Sequence, residues 1–444
     1  MKLFFALIIF FLFNSCSFDN KSGVWKNENI SSSNSEEKII FKDFKKISTF
    51  EENFQDNISL NRNFAIKSSK SIINPDWEDI FFDKNNNFKN FLYNNNNQII
   101  FKSRKLSKSK VNEFKLYYDG HLIVNNNKGD IIIYSIQNNK ILTKFNFYKK
   151  KFKKINKELN LLVNKNIIYV SDNLGYLYAF DFRNDKIIWA KNYKIPFQSN
   201  LKIIDDKLIA SNQNNNLYFF KKNNGVFLKQ IPTEETLIKN QFKNNLSISN
   251  DDKLFFINSY GTLYSIDTIT MSMNWFIYLK NSSDLTSSNL FFGNVIVNND
   301  KNIIVSSNNK TFVIDPKNGV IKKKFNFSSF LKPVIYKNHV IILTKNNFLV
   351  AINLSTNEII YSYDISEQIL KLIQKENKQN IFKQIILLNN EIFIFLKNSE
   401  YINYTINGEF IKTGKLPSKI HSLPILIEGS ILFINQKNKL IILD

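Results

Sequence analysis

Short apolar stretches recur in pairs along this chain, each pair split by a turn rich in Asn, Gly and Asp, and most closing on an acidic or amide residue. The clearest copy is IIYVSDNLGYLYAFD at 167–181, followed at once by NDKIIWAK at 184–191. Related pairs lie at 122–136, 207–220, 253–267, 302–315, 340–353, 391–406 and 431–444. Their second stretches end at or beside Gln137, Asp181, Lys221, Asp267, Asp315, Asn353, Asn407 and Asp444, a spacing that averages about 44 residues. That period, with several strands per unit, predicts propeller blades, because one blade cannot bury both of its faces and must stack with its neighbours around an axis. The expected fold is therefore all-β, an eight-bladed β-propeller of four-stranded blades.

Closure of the ring follows from the same pattern. The last pair reaches Asp444 on the third strand of its blade, which leaves that blade in need of an outer strand. Elsewhere the outer strand reads KIIWAK (186–191) or EIIYSY (358–363), and a further copy, QIIFKS at 98–103, lies ahead of the first pair. Residues 98–103 are thus expected to pair antiparallel with 439–443 and remove two open sheet edges. Trp189, Trp275, Tyr361 and Phe101 hold matching places in this strand, where a large ring can pack between blades. Gly is scarce, 11 in 444 residues, and runs such as Asn125–Asn127 and Asn214–Asn216 take the turns. Asn is the residue after Gly that best tolerates positive φ there.

Ahead of the repeats the pattern changes. Lys2 is followed by an unbroken apolar run from Leu3 to Phe13, too short for the roughly 20 residues a helix needs to cross a bilayer. It reads as a secretory signal peptide over 1–15, ending at Cys16, the single cysteine of the chain. Residues 16–71, rich in Ser, Asn, Lys and Glu, read as a flexible tether, and 72–444 as the propeller. With one cysteine, no internal disulfide is available, so packing alone must hold the domain.

The formal net charge of +22 raises nucleic acid as a partner, but export argues against it. Lysines are spread over all blades, with one dense run, KKKFKK at 149–154, expected in a solvated loop between blades. No catalytic or metal-binding constellation is visible. His121, His339 and His421 lie far apart, no His/Cys/carboxylate group has ligand spacing, and G-x-S-x-G, P-loop and G-x-G-x-x-G motifs are absent. No catalytic residue, metal or cofactor is therefore expected.

Phe13-Asn14-Ser15-Cys16 resembles a bacterial lipobox, which implies diacylation of Cys16; Phe13 departs from the usual Leu. In that resemblance Ser17, not being Asp, implies the outer membrane, facing the periplasm. The signal, Cys16, the tether, Asn74-Pro75-Asp76-Trp77, the closing strand and all eight blades together resemble the BamB family of outer-membrane assembly lipoproteins. The resemblance implies a non-catalytic scaffold of the β-barrel assembly machinery, with the barrel-inserting subunit as partner and unfolded barrel precursors as clients. It implies partner contacts in the loops at 195–201 and 280–293, with Phe197, Gln198, Ser199 and Asp284 as candidates. Gln198 stands where the family often has Arg. Two alternatives stay open: a propeller serving another envelope complex, and a quinoprotein dehydrogenase, whose repeat is similar but whose adjacent cysteine pair is missing here. An insertion at 366–383, with Ile369, Leu370 and Ile373 at helical spacing, reads equally as a partner loop or as length variation.

Overall fold

The computed structural model describes residues 54–236, 243–280, 291, 293–307, 309–373 and 381–444, and within 1–51, a separate unit, only the antiparallel pairing of Ser17–Phe18 with Trp25–Lys26. Residues from 54 onward build eight antiparallel blades, each of four strands that run from the axis outward. The inner strands are Leu116–Tyr118, Leu159–Asn164, Lys202–Ile204, Asn245–Ile248, Val297–Asn298, Val334–Tyr336, Phe382–Leu388 and Ile425–Ile427, in blades 1 to 8. The paired apolar stretches of the sequence are the second and third strands. In blade 2 these are Ile167–Asp172 and Tyr176–Asp181, with Ile168, Val170, Leu177 and Phe180 fully buried. Both faces of these strands are covered, so they read as near-continuous apolar runs rather than alternating ones.

The turn chemistry explains the Asn bias. In the hairpin between second and third strands, one side-chain oxygen accepts two main-chain N–H groups. Asn126 takes Lys128 and Asp130, Asn212 takes Asn214 and Asn216, Asn258 takes Tyr260 and Thr262, and Asn435 takes Lys437 and Lys439, all at 2.9–3.1 Å. Asp172 does the same for Leu174 and Tyr176. This is an Asx turn repeated around the ring. The positive φ that follows falls to Gly129, Gly175 and Gly261 in some blades and to Asn215, Asn347 and Asn438 in others.

The ring closes as the sequence predicts. Ile99–Lys105 is the outer strand of blade 8, pairing antiparallel with Lys439–Leu443 through Leu443↔Ile99 and Ile442↔Phe101. The outer-strand aromatics lock neighbouring blades by one recurrent device. Trp189 Nε1 donates to Lys222 O of the next blade at 2.8 Å, Trp275 Nε1 to Pro316 O at 3.3 Å, and Tyr361 Oη to Ile406 O at 3.1 Å. Under each ring sits a glycine: Gly225, Gly319 and Gly408, where an added Cβ would come within 2.4–2.8 Å of ring atoms. Phe101 cannot donate and packs on Tyr134 of blade 1, ring centroids 6.4 Å apart.

The packed body reaches further toward the N-terminus than the boundary at residue 72. Phe54 packs on Phe327 and Phe348, and Ile58 forms a two-way bridge with Ser362 on the outer strand of blade 6. Ile66 is buried, its N–H on Asn407 Oδ1, and Ser69 N–H bonds Asn390 Oδ1. Residues 54–71 therefore lie on blades 6 and 7. The tether expected over 16–71 otherwise falls outside the described residues.

Residues 74–94 then make a circuit inside the ring, meeting each blade in turn. Asn74 bonds blade 8 through Glu428 N and Leu426 O, and Trp77 exchanges two backbone bonds with Tyr117 of blade 1. Val163 of blade 2 donates to Glu78 O, and Lys202 of blade 3 reaches Asp79, Asp83 O and Asn86. Ile248 of blade 4 donates to Lys84 O, Asn298 of blade 5 to Asn85 O, and Asn87 bonds both backbone groups of Ile335 in blade 6. Asn90–Phe91 adds a parallel strand to the inner edge of blade 7, and Asn94 returns to Gly429 of blade 8. From the middle of this belt Trp77, Phe82, Phe88 and Phe91 project into one cluster, with centroids 4.8–6.5 Å apart. The axis of the propeller is filled by the protein's own aromatic rings.

Candidate functional site

Because the strands alternate in direction, the turns of each blade divide between two faces of the ring. The turns joining first to second strands share their face with the belt. The Asx hairpins and the connections between blades share the other, the loop face; the proposed contact loop at 195–201 lies there, while 281–290 and 292 of the second fall outside the described residues.

Within the first of these loops the side chains differ from expectation. Phe197 is 3 % exposed and packs between blades 2 and 3 with Leu162, Trp189, Leu208 and Phe220. Its backbone is also fixed, by donation to Asp172 O at 2.9 Å. Ser199 is fully buried, its Oγ accepting from Ser211 N and donating to Asn200 O. Neither side chain is a surface anchor; both are parts of the core. A signal for this existed: Val111, Phe197 and Ile420 each stand five residues before an inner strand, are buried, and bridge the Asx asparagines 126, 212 and 435. Gln198 is half-buried, its backbone N–H on Ser211 O. Asp284 and Cys16 fall outside the described residues.

Beneath the loop face the ring encloses a funnel of ≈ 280 Å³, floored by Trp77, Ile80, Phe81 and Phe88 of the belt and walled by the inner strands of blades 7 and 8 and the loops before blades 1, 5 and 6. A groove of ≈ 500 Å³ between blades 1 and 2 joins it, sharing Ile80, Glu113, Phe114 and Lys115. Lysines dominate the polar lining of the funnel. Lys115 is buried and donates to Ser422 Oγ and Leu423 O; burial, then the neighbouring Lys383, holds its ammonium well below the usual lysine range. Lys332 donates to Phe81 O and Asn86 O and stands 3.2 Å from the Phe88 ring centroid, also pushed well down by burial. Burial likewise lowers Lys383, which lies 3.5 Å from Glu113. Lys383 occupies a bulge in the inner strand of blade 7, between the pairs Phe382↔Leu396 and Gln384↔Phe395. The bulge lets the consecutive residues Lys383 and Gln384 both line the funnel, where a regular strand would turn one away.

A quinone with its divalent cation, as the quinoprotein alternative requires, does not fit this lining. Among the described residues no group of three His, Cys, Asp or Glu side chains could hold a metal. The funnel offers one carboxylate, Glu113, already facing Lys383, against Lys115, Lys332, Lys383 and Lys397. The histidines lie apart, His121 against Phe182 and His421 on Val111 O, and the 149–154 lysines are largely exposed in the connection between blades 1 and 2. The insertion after blade 6 holds a short helix, Ser366–Leu372, with Ile369 buried and Leu370 exposed.

Residues 105–325 match the model of the family described as outer membrane protein assembly factor BamB. No curated protein sequence matches the chain. Among solved structures, BamB from Moraxella catarrhalis is 13% identical with a TM-score of 0.59, covering 78% of this chain and 99% of its own. A quinohemoprotein alcohol dehydrogenase from Comamonas testosteroni reaches a TM-score of 0.60 at 11% identity, over 83% of this chain and 80% of its own. A europium-containing methanol dehydrogenase reaches 0.60 at 10% identity, over 83% and 89%. At such identities the structural likenesses speak to the fold. The family is carried by the sequence match: in residues 105–325 this chain bears the repeat of the BamB family, and it folds as a BamB-like eight-bladed propeller.

Proposed function

We propose that this protein is a non-catalytic scaffold lipoprotein of the outer-membrane β-barrel assembly machinery, anchored through Cys16 on the periplasmic face of the outer membrane. Its loop face binds the barrel-inserting subunit and so assists insertion of barrel proteins. The observation that carries this reading is the BamB family match over residues 105–325. With Phe197 and Ser199 interior, contact from the first loop falls to Gln198, and from the second to Asp284. Gln198→Glu with Asp284→Lys should reduce co-purification of the barrel-inserting subunit from solubilised envelopes while the melting temperature stays unchanged. Undiminished co-purification would move the contact elsewhere, and absence of the subunit from wild-type eluates would sink the assignment. Cys16→Ser should release the protein from the membrane, since acyl chains contribute about 0.8 kcal/mol per buried CH₂.

A quinoprotein is the rival reading that shares this fold, and the lysine-rich lining of the funnel speaks against it. An absorption spectrum and metal analysis of the purified protein separate the two, because a bound quinone absorbs outside the protein bands.

A further inference from the structure

Three polar side chains on the walls of the funnel and its groove are more than nine-tenths buried and lack a hydrogen-bond partner. Trp77 Nε1 belongs to the floor, Gln384 Oε1 to the wall of blade 7, and Asn125 Nδ2 to the groove. An orphaned polar atom in the interior costs about as much as a hydrogen bond earns, and three of those in this molecule lie around this one cavity, where a bound ligand would answer them. The surroundings say which kind. Lys115 uses two of its three N–H groups on Ser422 and Leu423, leaving one. Lys383 has a single carboxylate neighbour at 3.5 Å, longer than a charged hydrogen bond. Together they set two amines, whose protonated forms an incoming anion would stabilise, against one acid, beside the aromatic walls of Phe81, Phe88, Phe114 and Phe330. An anion with an apolar body is the complement. The groove that leads away carries Lys110, Lys157, Lys243 and Glu158 together with a row of amides, Asn112, Asn125 and Asn160 among them, and amides suit main-chain groups better than a small molecule.

We infer that the funnel receives the C-terminus of a polypeptide, its carboxylate held by Lys115 and Lys383, its last main-chain N–H donated to Gln384 Oε1, its last apolar side chain on the Phe81–Phe88 floor, and the preceding residues laid along the groove past Asn125. Glu113 acts against the ligand by competing for Lys383. The inference does not depend on which envelope complex the protein serves.

The test is fluorescence anisotropy on the full-length chain in detergent, with an N-terminally labelled nonapeptide ending in Phe. The free acid should bind and its C-terminal amide about tenfold or more weakly, the loss of one set of charged hydrogen bonds. Added salt should weaken the acid and spare the amide. Lys383→Gln and Gln384→Leu, which leave the buried Lys115 and its contacts intact, should each lower affinity severalfold, whereas Glu113→Gln should raise it. Free 3-phenylpropionate should compete only at concentrations far above those of the peptide. Equal affinity of acid and amide, or a Glu113→Gln variant that binds no better, would overturn the proposal. Competition by phenylpropionate at peptide concentrations would overturn the chain-end assignment in favour of a small acid.

Discussion

Removing the Lys202 ammonium should loosen the belt from the inside. Lys202 is 1 % exposed, and its Nζ donates to Asp79 Oδ2 at 2.7 Å, Asp83 O at 2.8 Å and Asn86 Oδ1 at 2.6 Å. Asp79 in turn is 7 % exposed at its side chain. Lys202→Met keeps the stem but strands a buried carboxylate, a change that costs about 3–5 kcal/mol. A thermal scan is a poor way to see it. At about 2.1 cal/mol/K per residue over roughly 390 packed residues, ~4 kcal/mol lowers Tm by only ~5 °C. Hydrogen exchange is sharper, because the pair holds one segment. If the belt opens without the ring, amides in 77–91 should exchange about a hundred- to several-thousand-fold faster, with the blade interiors unchanged. Asp79→Asn in the same chain removes the stranded charge and should restore most of the protection. A double-mutant cycle with a coupling below about 0.5 kcal/mol, the level expected of independent sites, would refute the idea that this ion pair holds the belt.

Three further outcomes follow from the same packing. Phe197→Ala should cost about 3–5 kcal/mol in denaturant unfolding, as a buried ring does, so any loss of partner binding it causes reports the fold and not a contact. Deleting residues 1–53 should leave a folded ring, whereas deleting 1–105 takes the belt and the outer strand of blade 8 together and should give aggregates in size-exclusion chromatography. Burial, with Lys337 nearby, lowers the proton affinity of His339, and burial lowers that of His421. The unfolded chain then takes up protons first, near the ordinary pKa of about 6.5, so their contribution is present above that pH and is lost as pH falls through the lower folded values. His339→Gln with His421→Gln should flatten the fall in unfolding free energy on acidification from pH 7 relative to wild type.

The ring was legible because every blade repeats the same burial problem. IIYVSDNLGYLYAFD shows its hairpin and both strands in one line, and QIIFKS could be assigned to blade 8 because KIIWAK and EIIYSY occupy the same place in blades 2 and 6. The belt was not legible for the opposite reason. Residues 74–94 meet a different blade every two or three residues and are held mainly by backbone and amide bonds, so they carry neither a period of 2 nor one of 3.6. Phe197 was misread because the loops between blades vary in length; only alignment on the inner strands shows it equivalent to Val111 and Ile420. The funnel lysines are lost in a chain with 60 basic residues, where nothing local separates Lys115 from a solvated one.

The N-terminal segment also decides where this propeller can be approached. Its belt lies across the axis toward one face, and the funnel opens toward the other, the loop face. Its residue 58 takes both backbone positions of Ser362, which covers the outer edge of blade 6 at that point. Other outer strands keep an apolar, exposed edge: Ile99 and Ile100 in blade 8, Ile141 and Leu142 in blade 1, Phe227 and Leu228 in blade 3, Phe410 and Ile411 in blade 7. Exposed edges of this kind invite pairing, and charged residues temper it: Lys102 and Lys105 lie on the blade 8 strand, Lys412 and Lys415 on that of blade 7.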